Sequence, residues 1–346
     1  MSALSAASRE RLAAYLQAQG LSAGQPLSIT PLTGGQSNPT FKVTAGPRSY
    51  VLRTKPPGLL VASAHAIDRE HRVMSALQGS QVPVPRMYAY CEDETLIGTP
   101  FYLMEFLDGR VWMDQSLPSL VPSERRAIYR DMNRVIAALH RVDPGAVGLD
   151  SYGKPGNYFA RQIQRWTRQC RASTLPVNDA MQRLMDWLPE HIPPGDETAL
   201  VHGDFRLDNL VFHPGEPRVI GVLDWELSTL GHPLADFSYQ CMAWRIPSTL
   251  WRGIAGLDLA ALGIPQEAEY VDWYAQATGS DPRAHWEFYM AYNLFRLAAI
   301  LHGIAQRAAD GNATSDDAVE NGQKAGPLAE IGWQCAQRYA AARAMA

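Results

Sequence analysis

Several things are scarce in this sequence, and each scarcity excludes a class. Only four cysteines occur in 346 residues: Cys91, Cys170, Cys241 and Cys335. They lie far apart and form no CxxC pair, so neither a disulfide-stapled scaffold nor a zinc ribbon is expected, and four free thiols in a reducing compartment are. No run of about 18 apolar residues exists to cross a membrane. The first nine residues lack the basic-then-apolar pattern of a secretion signal, which points to the cytoplasm. Basic residues are in slight deficit, 31 against 35 acidic for a net charge of −4. That excludes a polyanion-binding face, so neither nucleic acid nor an anionic membrane is an expected partner. There is no internal repeat, no low-complexity tract, and no HExxH or clustered histidine set of the kind a metal hydrolase needs.

What is present describes a globular chain with a large core. Hydrophobic residues make up 46% and charged residues 19%. A chain of this length buries roughly three quarters of its unfolded surface and exceeds the roughly 250–300 residues at which single cores split, so two lobes are expected. Residues 9–19 read as a short amphipathic helix. Strand character follows over 27–32, 40–44 and 49–54, with Ala45-Gly46-Pro47-Arg48 as a hairpin turn. A helix over about 64–77 and strands over 82–91 and 99–106 complete a strand-rich first part. From Asp108-Gly109 onward helices dominate: 122–140, with Ser123 as the expected N-cap, then 158–171, 177–188, 270–278 and 285–308. Residues 199–224 form a stretch of short strands and loops between them. Residues 311–317 read as a polar loop.

The chemistry concentrates in Val201-His202-Gly203-Asp204-Phe205-Arg206-Leu207-Asp208-Asn209-Leu210. An Asp is followed five residues later by an Asn inside apolar flanks. Fifteen residues after that Asn comes Val222-Leu223-Asp224-Trp225-Glu226, an apolar strand ending in an acid. Phosphoryl transfer needs one carboxylate to orient an acceptor hydroxyl, and oxygen ligands to hold Mg²⁺ against nucleotide phosphates. An Asp/Asn pair in one loop and an Asp on the next strand meet that need.

His202-Gly203-Asp204, Asn209 and Leu223-Asp224-Trp225-Glu226 together resemble the aminoglycoside-phosphotransferase-like small-molecule kinases. The resemblance implies an α+β, bilobal protein-kinase-like fold. A small antiparallel-sheet N-lobe with one main helix would occupy residues 1–107, and a large, mainly helical C-lobe residues 108–346. It also implies ATP and Mg²⁺ as cofactors, Asp204 as catalytic base, and Asn209 and Asp224 as metal ligands. Four further stretches occur in the order that family uses. Gly34-Gly35-Gln36-Ser37-Asn38 lets backbone N–H groups approach a phosphate, though alone it reads rather as a ligand-free hairpin, and only in register with the other stretches as phosphate cover. Arg53 stands where a kinase strand carries its phosphate-binding cation, with Lys55 on the same strand face as the alternative. Glu70 is placed to pair with that cation, with Asp68 beside it. Glu105, Phe106 and Leu107 resemble the hinge whose backbone meets adenine, or else end an ordinary edge strand. Asp236, in Gly231-His232-Pro233-Leu234-Ala235-Asp236, would brace the catalytic loop or cap a helix. His202 is expected to pack within that loop.

The acceptor is approached through residues 285–307, a stretch apolar on most faces and so expected to be buried. Tyr289, Asn293 and Arg296 recur at i, i+4 and i+7 on one stripe and are the candidate substrate residues. A buried Arg296 needs an anionic partner, either a protein carboxylate or an acidic group of the substrate. An aminoglycoside polycation fits this basic stretch poorly. Lys55-Pro56-Pro57-Gly58, Tyr152-Gly153-Lys154-Pro155-Gly156-Asn157-Tyr158, Arg161-Gln162-Ile163 with Trp166, and Asn293-Leu294-Phe295-Arg296 resemble the kinase-like domain fused ahead of acyl-CoA dehydrogenases. That resemblance implies a hydroxyacyl-CoA or hydroxy acid as acceptor. It also implies a functional link to an acyl-CoA dehydrogenase, here expected as a separate enzyme because the chain is too short to hold that domain. A catalytically silent nucleotide-binding module and antibiotic inactivation by the same chemistry are the competing readings.

Overall fold

A computed structural model describes residues 4–32, 38–55, 67–311 and 317–344. The strands are β1 (Leu27–Pro31), β2 (Thr40–Ala45), β3 (Arg48–Thr54), β4 (Met87–Cys91), β5 (Phe101–Glu105), β6 (Ala199–Val201), β7 (Leu210–Phe212), β8 (Val219–Val222) and β9 (Thr229–Gly231). The helices of the first half are α1 (Ala6–Ala18), α2 (Ile67–Ala76), α3 (Glu94–Ile97), α4 (Pro122–His140) and α5 (Tyr158–Ala172). Those of the second half are α6 (Asp179–Trp187), α7 (Pro233–Cys241), α8 (Leu259–Leu262), α9 (Glu267–Thr278), α10 (Trp286–Ala309), α11 (Ala318–Gln323) and α12 (Ala325–Ala344). The class is α+β. The chain divides into two compact units. The first comprises Met1–Arg110, Leu210–Pro214 and Ile220–Ser228; the second comprises Val111–Asn209, Gly215–Val219 and Thr229–Ala346. Two later segments of the chain thus join the first unit.

The first unit is built on a five-stranded antiparallel sheet of order β1-β2-β3-β5-β4. β2 and β3 turn through Gly46 and Pro47, with Ala45 opposite Arg48. Gly46 has φ +60°, a conformation that glycine adopts without steric cost. Helix α1 starts at Ser5, whose hydroxyl accepts from the Ser8 amide, rather than at residue 9. It buries Leu12 and Leu16 completely against Val43, Tyr50 and Phe101 of the sheet. Each such side chain stabilises the unit by about 1.5–3 kcal/mol. The last two strands of this sheet are shorter than their apolar patterns predict: β4 begins only at Met87, and β5 begins after Pro100, which has no N–H to give a ladder. β8 is tied to this unit by the Val222 amide, which donates to Pro83 O at 2.9 Å. Gly221 allows the same approach, since a Cβ there would overlap the Leu107 side chain.

The second unit is helical around α10. That helix packs against α5, α7, α11 and α12 and buries residues on nearly every face, as an all-round apolar pattern requires. α12 has no sharp apolar stripe and was not expected; it docks on α10 through small residues. Gly332 sits where a Cβ would come within 3.1 Å of Leu294 Cβ. α4 begins with Pro122 as expected, but its N-cap is Val121 and not Ser123. Pro122 supplies the first helical φ, and Glu124 reaches back to the Val121 amide at 3.4 Å. All four cysteines are free and buried. Among the described residues no helix is long and apolar enough to cross a membrane.

Candidate active site

In the first unit a charged cluster forms around Arg53. β3 is covered on both faces, so Arg53 on that strand is only 7% exposed and its guanidinium must find anions. Its Nε lies 3.0 Å from Glu70 Oε2 on α2, and its Nη2 donates to Asp224 Oδ1 at 2.8 Å. Glu226 approaches the same Nη2 at 3.9 Å. Glu70 in turn accepts from Asn38 Nδ2 at 3.0 Å and from Tyr102 OH at 2.9 Å. Burial pushes the Glu70 carboxyl up to about 7, against the downward pull of Arg53 and Tyr102. Burial works against the Arg53 charge too, but Glu70, Tyr102 and Asp224 outweigh it and hold the group protonated. Arg53, not Lys55, is thus the partner of Glu70, and Glu70, not Asp68, is the partner of Arg53.

Asp224 follows β8 with φ +65° and ψ +56°, the left-handed region. Few non-glycine residues adopt it, and an Asp does so at small cost. The turn is fixed behind it by Trp225, fully buried, whose indole donates to Val222 O at 2.8 Å. Asp224 therefore stands out from the strand end with its side chain 36% exposed. Of the hinge residues, Glu105 closes β5 and its amide donates to Arg86 O at 2.8 Å. Phe106 carries Lys42 over its ring at 3.9 Å, and Leu107 fills the space above Gly221. Gly34, Gly35, Gln36 and Ser37 lie outside the described residues. Asn38, the last of that loop, is 1% exposed on Glu70.

In the second unit the loop after β6 is held by its backbone. β6 pairs antiparallel with β9, Ala199 opposite Gly231 and Val201 opposite Thr229. That pairing sets the start of α7 beside the loop. Asp236 of α7 then accepts from the amides of His202 at 2.7 Å and Gly203 at 2.8 Å. His140 Nε2 of α4 lies 3.2 Å from the same carboxylate. Burial alone would raise the Asp236 pKa; His140, His202 and these bonds lower it below the ordinary aspartate value. His202 is fully buried, and its Nδ1 accepts from the Asp204 amide at 3.2 Å, so it packs within the loop as expected.

Asp204 itself is oriented from several sides. Asn209 Nδ2 donates to Asp204 O at 2.8 Å and to Oδ2 at 3.1 Å. Arg206 Nε lies 3.2 Å from Asp204 Oδ2, and the Tyr239 hydroxyl also bonds the carboxylate. Arg296 of α10 donates to Gly203 O at 2.6 Å and stacks over the Tyr239 ring at 4.8 Å.

The stripe expected to meet substrate thus turns inward. Among the described residues Arg296 has no carboxylate in an ion pair with it, and it is buried; a carbonyl and the rings of Tyr158, Tyr239 and Tyr292 surround it. Asn293 is fully buried, donating to Ala235 O and Ser238 Oγ. Tyr289 stacks on Phe159 and is 4% exposed.

A small cleft, open to solvent, lies within this unit. Arg206, Arg252, Tyr239, Gln115 and Gln240 line it, with no Asp or Glu. Asp208, behind the two arginines, lies 3.3 Å from Arg206 Nη2 and is paired with Arg252. Local spacing gives no hint of Tyr239, Arg252 or His140, because each meets its partner across a long stretch of chain. Among the described residues no three His, Cys, Asp or Glu side chains converge on a metal site. The expected set of one Asn and one Asp is smaller than that and leaves most of a Mg²⁺ shell to phosphate and water.

Residues 28–292 match the family model for the phosphotransferase enzyme family, APH. The mouse protein named acyl-CoA dehydrogenase family member 10 is 49% identical over 315 residues, covering 90% of this chain and 30% of that protein. Human acyl-CoA dehydrogenase family member 11 is 41% identical over 326 residues, 94% of this chain and 42% of its own length. The chain thus spans well under half of these curated relatives. A crystal structure from Ralstonia eutropha, whose name places it with the aminoglycoside phosphotransferases, is 55% identical with a TM-score of 0.87 over 95% of this chain and 98% of that one. An aminoglycoside phosphotransferase in ternary complex with AMP-PNP and hygromycin B shares the fold at 18% identity, with a TM-score of 0.61 over 96% and 99% of the two chains.

Proposed function

The chain belongs to the phosphotransferase enzyme family, and from that we propose that it moves a phosphoryl group from ATP to a hydroxyl of a small acidic acceptor, a hydroxyacyl-CoA or hydroxy acid. That it is a small-molecule phosphotransferase with an alcohol group as acceptor follows from the family. The finer reading is supported by the cleft, which Arg206 and Arg252 line and no Asp or Glu does, so its lining offers a polycationic aminoglycoside no carboxylate. The names of the curated relatives join such a domain to acyl-CoA dehydrogenases, which supports an acyl acceptor and a functional link to an enzyme of that class.

Each residue has a role in this reading. Gly34, Gly35, Gln36, Ser37 and Asn38 cover the nucleotide phosphates. Arg53, aligned by Glu70, contacts them, and the backbone of Glu105, Phe106 and Leu107 receives the adenine. AMP-PNP in a relative of the same fold supports a nucleotide donor. Asn209 has its Nδ2 committed to Asp204, which leaves Oδ1 as a ligand atom; Asn209 and Asp224 would hold Mg²⁺. Bound there, Mg²⁺ neutralises charge on the phosphates. Asp204 accepts the hydrogen bond of the acceptor hydroxyl and takes its proton as the new O–P bond forms and the bond to the leaving ADP breaks. Asn209, Arg206 and Tyr239 hold that carboxylate in place, and Asp236 and Arg296 hold the backbone beneath it.

Asp204→Ala should lower kcat about 10³-fold while Mg·ATP binding, read by calorimetry, stays within about twofold. Unchanged turnover rules out Asp204 as the base. ADP release screened over hydroxy acids, hydroxyacyl-CoAs, amino alcohols, sugars and aminoglycosides tests the acceptor. Nucleotide binding with no transfer to any of them would mark a silent module instead.

A further inference from the structure

We propose that residues 247–253 form a lid over the acceptor cleft, latched shut by the ion pair between Arg252 and Asp208. The inference rests on the phosphotransferase reading above. The cleft adjoins the base, because Arg206 and Tyr239 line it and both contact the Asp204 carboxylate. As it stands it is too small for an aliphatic hydroxy acid or its thioester. One wall must therefore move for an acceptor hydroxyl to reach Asp204. Most of the walls are fixed. Tyr239, Gln240, Met242 and Ala243 belong to α7 and the turn after it, Leu297 belongs to α10, and all are buried. Arg206 rides on the loop that Asp236 clamps. Trp251 and Arg252 are only half-buried, and the Arg252 side chain is 32% exposed.

The chain around these two residues has a fixed neck and a lightly tied tip. Backbone bonds close the neck: the Ile254 amide donates to Ala243 O at 2.8 Å and the Ala255 amide to Ile246 O at 3.1 Å. Ile246 and Ile254 are buried beneath it. Gly253 passes so close to Ile246 that a Cβ would overlap its carbonyl oxygen, which keeps the neck narrow. The backbone of the tip bonds to itself. The amides of Leu250 and Trp251 donate to Pro247 O at 3.0 and 3.2 Å, and the Gly253 amide donates to Trp251 O. Ser248 and Thr249 are exposed. Among the described residues, two polar side-chain contacts tie the tip to the rest of the unit. Lys324 lies over the Trp251 ring at 5.4 Å, and Arg252 pairs with Asp208 Oδ2.

The Arg252 contact is the one able to open. Asp208 lies on the catalytic loop four residues after Asp204, with its side chain 7% exposed and its Oδ1 buried without a hydrogen-bond partner among the described residues. Leaving such a carboxylate with no cation would be strongly unfavourable. Arg206 prevents that, because its Nη2 lies 3.3 Å from the same Oδ2 and stays when Arg252 leaves. Opening therefore loses one half-exposed ion pair and strands no buried charge, a change of about fivefold in the balance between shut and open. The latch opposes the acceptor, because only the open lid admits one. Whatever it adds to the shut state is taken from acceptor affinity.

Spin labels on the full chain test the latch. Ser248→Cys places one on the tip and Gln337→Cys a second on the exposed face of α12; the native cysteines are buried and stay unlabelled. Double electron–electron resonance then reads the distance between them. Arg252→Gln should raise the ratio of open to shut distances about fivefold, and Arg252→Lys should stay within about twofold of the unsubstituted pair. Identical distance distributions with and without Arg252→Gln would overturn the latch. In ADP-release assays with short aliphatic hydroxy acids and their CoA thioesters, Arg252→Gln should lower acceptor KM about fivefold and leave KM for ATP unchanged. An acceptor KM that is unchanged or raised would overturn the lid. The distances are read without nucleotide or acceptor. They therefore judge the lid even where no acceptor takes phosphate, the result that sinks the phosphotransferase reading instead.

Discussion

Arg53 in the first unit and Asp204 in the second are both charged and largely enclosed, and they are held in opposite ways. Arg53 is fixed by side chains: Glu70 and Asp224 take its guanidinium, and Asn38 and Tyr102 fix Glu70 in turn. Asp204 rides on a backbone that is itself clamped, by Asp236 on two consecutive amides and by Arg296 on the carbonyl that follows them. A cation that only has to meet phosphate can be placed by a network of charges. A carboxylate that has to meet one hydroxyl at hydrogen-bond distance needs its main chain immobilised, because a displacement of about 1 Å can cost a hundredfold in rate. The comparison predicts that damage to the loop appears in kcat, and damage to the Arg53 network in nucleotide affinity.

Asp236→Ala is the most severe test after loss of Asp204 itself. It strands two buried amides and His140, at a cost of about 3 kcal/mol in stability, and should lower kcat about 100-fold with little change in KM for ATP. A stability loss with kcat unchanged would break the comparison. The pH dependence has a definite sign. Asp236 titrates below its ordinary value of 3.8, so its contribution to stability is fully present above that value and is lost only as pH falls through the lower folded value. The difference in unfolding free energy between wild type and Asp236→Asn should therefore be flat near neutrality and shrink under acid.

Arg53→Met should raise KM for ATP about 30-fold and affect acceptor KM little, whereas Lys55→Ala should move either by less than about twofold. Equal effects at both positions would mean that the Glu70 pair does not select the working cation. Arg296→Lys sharpens the comparison further. The shorter, point-charge cation loses the planar stack on Tyr239, and kcat should fall about tenfold with nucleotide affinity unchanged. A shift in KM for ATP instead would tie α10 to the wrong function.

Most of the sheet was legible from spacing, and the candidate site residues from the family resemblance that the Asp–Asn–Asp pattern carries. Alternation over 40–54 marks β2 and β3, and the Asp–Asn–Asp pattern isolates the loop and the strand end that matter. The misses have physical causes. α12 packs through alanine and glycine, so it lacks the apolar stripe that announces a helix. Ser123 looks like a better cap than Val121, but Pro122 fixes the helix start two residues earlier. The stripe Tyr289, Asn293 and Arg296 was correctly placed on one face of a buried helix. Which way that face turns depends on α7 and the loop before it, neither of which is near in sequence.

By itself, the sequence determined which side chains carry charge into an apolar setting and what chemistry such a set can perform. Phosphoryl transfer demands a base, oxygen ligands and a phosphate-binding cation, and those residue types stand in order along the chain. Tertiary structure decided the partners: Arg53 over Lys55 for Glu70, Gly203 over any carboxylate for Arg296, and Arg252 with Arg206 at the cleft. The reason is range. Spacing rules reach only a few residues along a helix or strand, whereas Arg53 meets Asp224 across 171 residues and Arg296 meets Gly203 across 93.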